Sequence, residues 1–308
     1  MSQAMFRSIM VPLDGSPFAE QALPLATELA RRSGAILQVA LVHHPVPALA
    51  TAIEVPDIEA QLDQEARAHE QTYLSSILER LRRTANIPVT SVLLDGPVAE
   101  SLQHQVESSG ADLVVITTHG RGPVSRFWLG SVADHLMRVL HIPVLMIRPT
   151  PAGEVTPALR RILVTLDGSP FAERALDSAL MLARPVGASL DLLMAVEPIL
   201  PVVDPFGMMP LPISPDVDAQ HMESATDYLE SVAARLRRDG VAVTAHAVPG
   251  AGAAATILAQ ADALSADLIA IASHGAGGYR RAMIGSVADK VVRGSNHPIL
   301  VVRPGQPD

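Results

Sequence analysis

Short apolar runs alternate with longer segments of mixed polarity along the chain. Continuous apolar runs bounded by turn residues are typical of buried strands, whereas longer mixed segments are typical of helices. In the first half this pattern predicts strands at 9–13, 35–42, 89–94, 113–117 and 144–147. It predicts helices at 17–33, 58–83, 98–108 and 131–140. Pro17 takes the first helical position, and Asp57 is expected to cap the second helix. This alternation predicts an α/β protein with a doubly wound, open parallel sheet covered by helices on both faces.

The second half of the chain repeats the first. The octapeptide LDGSPFAE occurs at 13–20 and again, unchanged, at 166–173, and GSVAD occurs at 130–134 and 285–289. The copies are 167 − 14 = 153 residues apart at the first motif and 285 − 130 = 155 apart at the second. A period of this length suits a complete globular unit. We therefore expect one domain at 1–150 and a second at 158–308, joined by a linker at 151–157 that contains Pro and Gly.

Composition narrows the class of protein. Of the 308 residues, 48% are hydrophobic but only 3% are aromatic, so the cores must be aliphatic. The absence of cysteine excludes disulfides and thiolate chemistry and fits a cytoplasmic location. A net charge of −9 argues against nucleic-acid partners, and no apolar run reaches the roughly 20 residues of a membrane helix. We therefore expect no membrane insertion.

Two loops carry candidate chemistry. In a doubly wound sheet, ligands bind beyond the carboxyl ends of strands where the strand order reverses. The loop after the first strand holds Asp14, Gly15 and Ser16, and the loop after the fourth holds HGRGP at 119–123 and ends at Gly130, where a helix begins. Glycines and helix N-termini present backbone N–H groups to anions, and an aspartate can accept hydrogen bonds from ribose hydroxyls. The second half repeats the set, which predicts two nucleotide sites.

These motifs resemble the universal stress protein family, whose nucleotide-binding members carry G-x2-G-x9-G-[ST]. Gly120 and Gly130 match its later part, as do Gly275 and Gly285, each pair being followed by a serine. Thr117 and Ala272 stand where the motif has its first glycine. The resemblance implies a tandem member of the family with Rossmann-like, adenine nucleotide alpha hydrolase-like domains of strand order 3-2-1-4-5. It also implies a pseudo-twofold axis at which the two final strands meet, making an internal pseudo-dimer, with a further homodimer left open.

The resemblance implies ATP as the ligand, with Mg²⁺ as a companion ion, and an adenine-side contact at the end of the second strand of each half. In the first half the candidate nucleotide-binding residues are Asp14, Val42, Thr117, His119, Gly120, Arg121, Gly130, Ser131 and Val132. In the second half they are Asp167, Ala195, Ala272, His274, Gly275, Gly285, Ser286 and Val287. No catalytic residue and no metal ligand is predicted.

The expected function is a stress-response regulator that acts through ligand-dependent conformation or partner binding. One alternative is a nucleotide-independent interaction module, because the motif's first glycine is replaced in both halves; another is a slow ATP hydrolase. Asp14 and Asp167 could simply cap the following helices. The pair at 43–44, two adjacent histidines, resembles a metal site only superficially, because neighbouring strand residues point to opposite faces. The Pro-rich segment at 197–215 is a lid, an ordered surface loop or a partner surface.

Overall fold

The computed structural model describes residues 5–43, 45, 56–118, 129–150, 158–198, 215–273 and 284–303. The chain divides into two units, Met1–Ala158 and Leu159–Asp308. The predicted linker at 151–157 lies outside the described residues.

The first unit is a five-stranded parallel sheet with helical crossovers. Its strands are β1 Ser8–Leu13, β2 Ile36–Val42, β3 Val89–Leu94, β4 Leu113–Thr117 and β5 Val144–Ile147. Its helices are α1 Leu23–Ser33, α2 Pro56–Ala85, α3 Val98–Ser109 and α4 Ser131–Val139. The strands lie in the order β3-β2-β1-β4-β5, and every pair is parallel.

The second unit has the same architecture. Its strands are β6 Arg161–Thr165, β7 Ser189–Val196, β8 Val243–Pro249, β9 Leu268–Ala272 and β10 Ile299–Val302. Its helices are α5 Pro170–Val186, α6 Pro215–Arg238, α7 Ala253–Ala263 and α8 Ser286–Gly294. The order β8-β7-β6-β9-β10 corresponds strand by strand to that of the first unit. The predicted α/β class and the strand order 3-2-1-4-5 are therefore confirmed in each half.

Aliphatic side chains fill both cores, as the low aromatic content requires. All residues of β1 and β4 in the first unit, and of β9 in the second, are buried. Strands covered on both faces read as continuous apolar runs rather than as alternating ones, and this is the pattern that made them visible in the sequence. Among the described helices, none combines the length and the apolar character needed to cross a membrane.

Two helix starts differ from the prediction. Helix α2 begins at Pro56, so Asp57 lies in its first turn and not at the N-cap. The helix expected from Pro17 begins as a single 3-10 turn, Ala19–Ala22, and becomes α-helical only at Leu23. In the second unit the same octapeptide runs directly into α5 at Pro170.

Pro24 explains why one octapeptide adopts two backbones. An α-helix through this segment would need the N–H of residue 24 to donate to the carbonyl of Glu20, and proline has no N–H. That carbonyl instead accepts from the N–H of Leu23, three residues ahead, which closes a 3-10 turn. The equivalent residue of the second half is Asp177, which has an N–H and continues the α-helix.

The first residues of the central strands are held in the same way in both units. In the first, the carboxylate of Asp112 accepts the backbone N–H groups of residues 7 and 8 at 2.9 and 3.0 Å. In the second, Asp267 accepts those of residues 160 and 161 at 2.7 and 2.9 Å. Asp112 directly precedes β4 and Asp267 directly precedes β9. Each aspartate therefore helps to fix the register between the central strand and this neighbour.

The polar contact between the central strand and its other neighbour, β2 or β7, differs between the units. In the first, the side-chain amide of Gln38 donates to the hydroxyl of Ser8 at 2.8 Å. In the second, the guanidinium of Arg161 lies 3.2 Å from the carboxylate of Asp191. Asp191 is only 3% exposed. A neutral pair therefore occupies, in one half, the positions that an ion pair occupies in the other.

Helix α2 is much longer than the sheet is deep. Its 30 residues extend about 45 Å, whereas the six residues of β3 extend about 20 Å. Because α2 ends at Ala85, just before β3 begins, its N-terminal half must project past the carboxyl edge of the sheet. This projecting half borders the edge where ligands bind in folds of this kind.

Candidate functional site

The central strand of each unit lies between two strands whose connections run in opposite directions. In the first unit, β1 pairs with β2 on one side and with β4 on the other, and Ile9 lies opposite Leu113. In the second, β6 lies between β7 and β9. This reversal of strand order opens a crevice at the carboxyl ends of β1 and β4, and of β6 and β9. The two candidate loops of each half therefore start side by side, as the sequence predicted.

A tight turn follows β1. The carboxylate of Asp14 accepts the backbone N–H of Ser16 at 2.9 Å, and the hydroxyl of Ser16 accepts the N–H of Ala19 at 3.1 Å. Gly15 between them has a φ of 80°, in the left-handed region that side-chain-bearing residues rarely adopt. The turn places the half-buried Asp14 at the mouth of the crevice.

The second unit repeats this turn. Asp167 accepts the N–H of Ser169 at 3.0 Å and its hydroxyl at 2.6 Å, and Gly168 has a φ of 79°. Ser169 is the N-cap of α5 and accepts the N–H of Ala172 at 3.2 Å. Ser169 therefore caps α5, whereas the 3-10 turn of the first unit begins after Phe18 and has no side-chain cap. Neither Asp14 nor Asp167 occupies an N-cap position, so the interpretation of these aspartates as helix caps is wrong. The aspartates shape the turn that precedes each helical segment.

A helix start borders the other side of each crevice. Helix α4 begins after Gly130, which contributes no side-chain cap, and α8 begins in the same way after Gly285. The N–H of Gly130 donates to the carbonyl of Thr118 at 2.7 Å, and that of Gly285 to Ser273 at 2.7 Å. These bonds close the base of the loop between strand and helix. The first-turn N–H groups and the positive end of the helix dipole then form an anion-binding environment at the carboxyl edge.

The remaining described candidates lie at the ends of the same elements. Val42 is the last residue of β2 and is 4% exposed, whereas Ala195 lies one residue before the end of β7 and is half-buried. Thr117 and Ala272 end β4 and β9 and are 6% and 7% exposed. The side chains that replace the motif's first glycine are therefore packed at the strand ends.

The first turns of the two helices contain four further candidates: Ser131, Val132, Ser286 and Val287. Five candidates lie outside the described residues, namely His119, Gly120, Arg121, His274 and Gly275. The second histidine of the pair at 43–44 and most of the Pro-rich segment at 197–215 also lie outside them. The assignment of the candidate residues to nucleotide contacts stays a prediction.

His43 has a role that the sequence did not reveal. It follows β2 directly, and its side chain is fully buried. Its Nδ1 lies 2.6 Å from a carboxylate oxygen of Glu70, and its Nε2 lies 2.8 Å from one of Asp63. Because both ring nitrogens contact carboxylates, the ring is suited to donate two hydrogen bonds as an imidazolium. Asp63 and Glu70 both lie on α2, so His43 ties the projecting half of that helix to the sheet.

The charge balance around His43 favours its protonated form. Burial lowers the pKa of His43, but the hydrogen bonds with Asp63 and Glu70 outweigh burial, so its pKa is raised above 6.5. The hydrogen bonds with His43 and Arg67 lower the pKa of Asp63. Arg67 also reaches Asp95, just after β3, at 2.5 Å. Among the described residues, no group of His, Asp and Glu is arranged to hold a metal ion.

The second unit lacks this cluster. At the repeat spacing, the equivalents of His43, Arg67 and Glu70 are Val196, Met222 and Ala225. The carboxyl edges of the two halves therefore differ in charge. Aligning the sequences of the two halves could have revealed the difference, because three charged or ionisable residues of the first half correspond to apolar residues in the second.

Comparison with known proteins gives a consistent result. The family model described as the universal stress protein family matches residues 5–148 and 158–303. Universal stress protein Rv1996 of Mycobacterium tuberculosis is 30% identical over 317 residues, covering 96% of this chain and 94% of that protein. Universal stress protein Rv2005c of the same organism is 32% identical over 197 residues, covering 64% of this chain. That match spans only 63% of the relative's own length.

Two solved structures share the fold over nearly the whole chain. A universal stress protein from Archaeoglobus fulgidus matches with a TM-score of 0.68 and 20% identity, covering 99% of both chains. A protein from Pseudomonas aeruginosa PAO1 described as functionally unknown matches with a TM-score of 0.65 and 17% identity, covering 97% of this chain and 93% of that one. At these identities the likeness concerns the fold.

Proposed function

The chain belongs to the universal stress protein family in its tandem form, and we propose that it binds ATP or a related adenine nucleotide. In this proposal it acts as a stress-response regulator through ligand-dependent conformation or partner binding, in the cytoplasm and without appreciable turnover. One observation gives the strongest support to an adenine nucleotide as the ligand. In each half, an aspartate-bearing turn and a glycine-started helix border the same crevice.

The described groups fit the parts of a nucleotide. Backbone N–H groups at the start of α4, and the hydroxyl of Ser131, can donate to phosphate oxygens. Asp14 is suited to the ribose hydroxyls, because a carboxylate accepts hydrogen bonds but repels phosphate. Val42 offers an apolar contact for adenine at the end of β2. Mg²⁺ would arrive with the phosphates, since this ion is commonly bound through substrate phosphates and water.

The same groups argue for binding rather than bond cleavage. The described candidates at the crevice offer hydrogen-bond donors, one carboxylate acceptor and an apolar wall. Regulation through occupancy needs only that the nucleotide favours one conformation or partner surface over another. Hydrolysis would need in addition a group that activates water, which the proposed binding contacts do not require.

Thermal melting of the full chain with and without Mg-ATP tests the proposal. At a ligand concentration of 100 times the dissociation constant, we expect a gain of about 2.7 kcal/mol in the free energy of unfolding of each bound unit. Asp14→Ala and Gly130→Val should weaken binding in the first half. Asp262→Ala, at an exposed position paired with His297 on the second unit, is the matched control and should leave binding unchanged.

The other outcomes separate the alternatives. A melting curve and a calorimetric titration that both show no response to millimolar ATP would refute nucleotide binding and favour the interaction module. Phosphate release that disappears in both Asp14→Ala and Gly120→Val would instead favour slow hydrolysis. Release that persists when the aspartates of both halves are replaced, as in Asp14→Ala/Asp167→Ala, would identify a contaminating enzyme.

A further inference from the structure

In each unit, a glutamate that follows the aspartate-bearing turn contacts a tyrosine and an arginine of the long helix. In the first unit, the hydroxyl of Tyr73 donates to Oε1 of Glu20 at 3.1 Å, and the guanidinium of Arg80 lies 2.5 Å from Oε2. Glu20 belongs to the octapeptide that contains Asp14, whereas Tyr73 and Arg80 lie on α2. These three residues, here called the first clamp, join the turn to the long helix.

The second unit has the same arrangement. The hydroxyl of Tyr228 donates to Oε1 of Glu173 at 3.1 Å, and the guanidinium of Arg235 lies 3.2 Å from Oε2. This set is the second clamp. Each glutamate uses one oxygen for the phenol and the other for the guanidinium, so both the position and the rotation of its carboxylate are determined in both units.

The clamp recurs although the helices that supply it differ elsewhere. On α2 the positions of Arg67 and Glu70 carry charge, and on α6 they are Met222 and Ala225. The tyrosine and the arginine are nevertheless present in both helices at the same spacing. An exposed ion pair alone contributes little to stability. The recurrence therefore points to a geometric requirement at the turn rather than to a general need for surface ion pairs.

A short chain of bonds joins each clamp to its aspartate. The N–H of Glu20 donates to the carbonyl of Ser16 at 3.3 Å, and the N–H of Ser16 donates to Asp14. Burial raises the pKa of Tyr73, and the negative charges of Glu20 and then Asp14 raise it further, so the phenol lies within electrostatic reach of Asp14. Tyr228 stands in the same relation to Glu173 and Asp167.

The turn needs such support because its central residue is glycine. Gly15 and Gly168 adopt the left-handed conformation, and glycine loses more backbone freedom on ordering than any other residue. A hydrogen bond from a carboxylate to a ligand hydroxyl depends on distance and angle, so a turn that drifts would lose it. A contact that fixes the turn before the ligand arrives reduces the entropy lost on binding.

We propose that the two clamps contain positioning residues: through Glu20 and Glu173 they fix the turns so that Asp14 and Asp167 meet the ribose hydroxyls of a bound nucleotide. The inference rests on the proposed function. Its chemical consequence is selectivity for ribonucleotides over their deoxy analogues. Tyr73 and Tyr228 act through the aspartates and need not touch the ligand.

The test measures sugar selectivity at one site at a time. In the full chain carrying Asp167→Ala, equilibrium binding of ATP, 2′-deoxy-ATP and 3′-deoxy-ATP reports the first site. We expect Tyr73→Phe to weaken ATP binding about threefold to tenfold, the equivalent of one net hydrogen bond. The deoxy analogue that lacks the hydroxyl bound by Asp14 should bind as before, so the preference for ATP over that analogue falls. In the mirror experiment, Tyr228→Phe in the Asp14→Ala chain should do the same at the second site.

A matched pair of variants separates positioning from general stability. Arg80→Gln removes the clamp arginine, whereas Arg82→Gln removes an arginine on the same helix that donates to the carbonyl of Val89. Selectivity should fall in the first variant and stay in the second, whatever happens to the melting temperatures. Three results would each overturn this inference and leave the proposed function standing. They are equal weakening of all three nucleotides in Tyr73→Phe, unchanged selectivity in that variant, and lost selectivity in Arg82→Gln. If the unsubstituted chain binds no adenine nucleotide, the proposed function fails and the inference fails with it.

Discussion

Replacing His43 by valine should loosen the projecting half of α2 and leave the second unit unchanged. Valine is the residue that the other half has at this position, Val196, so the change introduces a side chain that the fold already accommodates. It removes the hydrogen bonds to Glu70 at 2.6 Å and to Asp63 at 2.8 Å. Both carboxylates then face an apolar side chain.

The size of the effect follows from the contact with Glu70, whose side chain is 18% exposed. A hydrogen bond to a charged group contributes about 1.5–3 kcal/mol. Since 1.4 kcal/mol is a factor of ten, the protection of α2 amides against hydrogen exchange should fall about tenfold to one-hundredfold. The effect should be confined to α2 and the strands it covers.

The effect should also depend on pH. The pKa of His43 is raised in the folded protein, so its contribution is complete below its ordinary value of 6.5 and is lost as the pH rises through the raised value. The pKa of Asp63 is lowered from 3.8, mainly by the hydrogen bond with His43, so its contribution is lost only as the pH falls below that value. The groups that face His43 include Glu70 and Arg67 on α2 and Asp95 after β3. The variant should therefore differ most from the unsubstituted chain between about pH 4 and 6.5.

Hydrogen exchange followed by mass spectrometry measures this directly. Protection factors, which already correct for the intrinsic pH dependence of exchange, are compared for residues 60–70, in the projecting half of α2, and for α6 at pH 6 and pH 8.5. The double variant His43→Val/Glu70→Ala carries both second-half residues and should recover part of the loss, because no buried carboxylate is left behind. Equal losses at both pH values, or an equal loss in α6, would refute the assigned role of His43.

Further predictions concern the repeated turn and the interrupted helix start. Gly15→Ala and Gly168→Ala should each cost about 1–2 kcal/mol in urea unfolding because both positions are left-handed. Gly252→Ala should cost less, because an added Cβ there meets nothing within 4 Å and only the preference for glycine at the N-cap of α7 is lost. Equal costs at all three positions would contradict the conformational explanation. Pro24→Ala should allow the α-helix to extend backwards, so carbon chemical shifts of residues 19–22 should move to α-helical values, and unchanged shifts would show that another contact stops the helix.

Much of the fold could be predicted because its determinants are local or repeated. The strands β3, β4 and β5 have the bounds that their apolar runs predicted. The repeat fixed the equivalence of the halves, and alternation of strands and helices fixed the parallel class. Helix starts were less predictable. The pattern placed a helix at Pro17 in the first half, but one proline seven residues later, Pro24, removed the hydrogen-bond donor that an unbroken α-helix requires.

The local geometry of the candidate site was predictable where it depends on short motifs. Asp14, Gly15 and the Gly130 helix start could be recognised because their chemistry is contained in a few consecutive residues. His43 and Tyr73 could not, because each depends on a partner distant in sequence: Glu70 lies on the next helix, and Glu20 on the preceding segment. Hydrophobic periodicity indicates which face of an element packs on the core, but it carries no information about which polar residues of distant segments will meet.

The unequal polar pairs beside the central strands have a consequence for folding during synthesis. Near-identical neighbours in one polypeptide risk exchanging strands, a characteristic failure of multidomain and repeat proteins. If β1 took the place of β6, Ser8 would stand beside the buried Asp191 and leave its charge without Arg161. In the reciprocal exchange, Arg161 would meet the neutral Gln38. The ion pair in one half and the amide–hydroxyl pair in the other thus favour the placement of each strand in its own sheet over the exchanged arrangement.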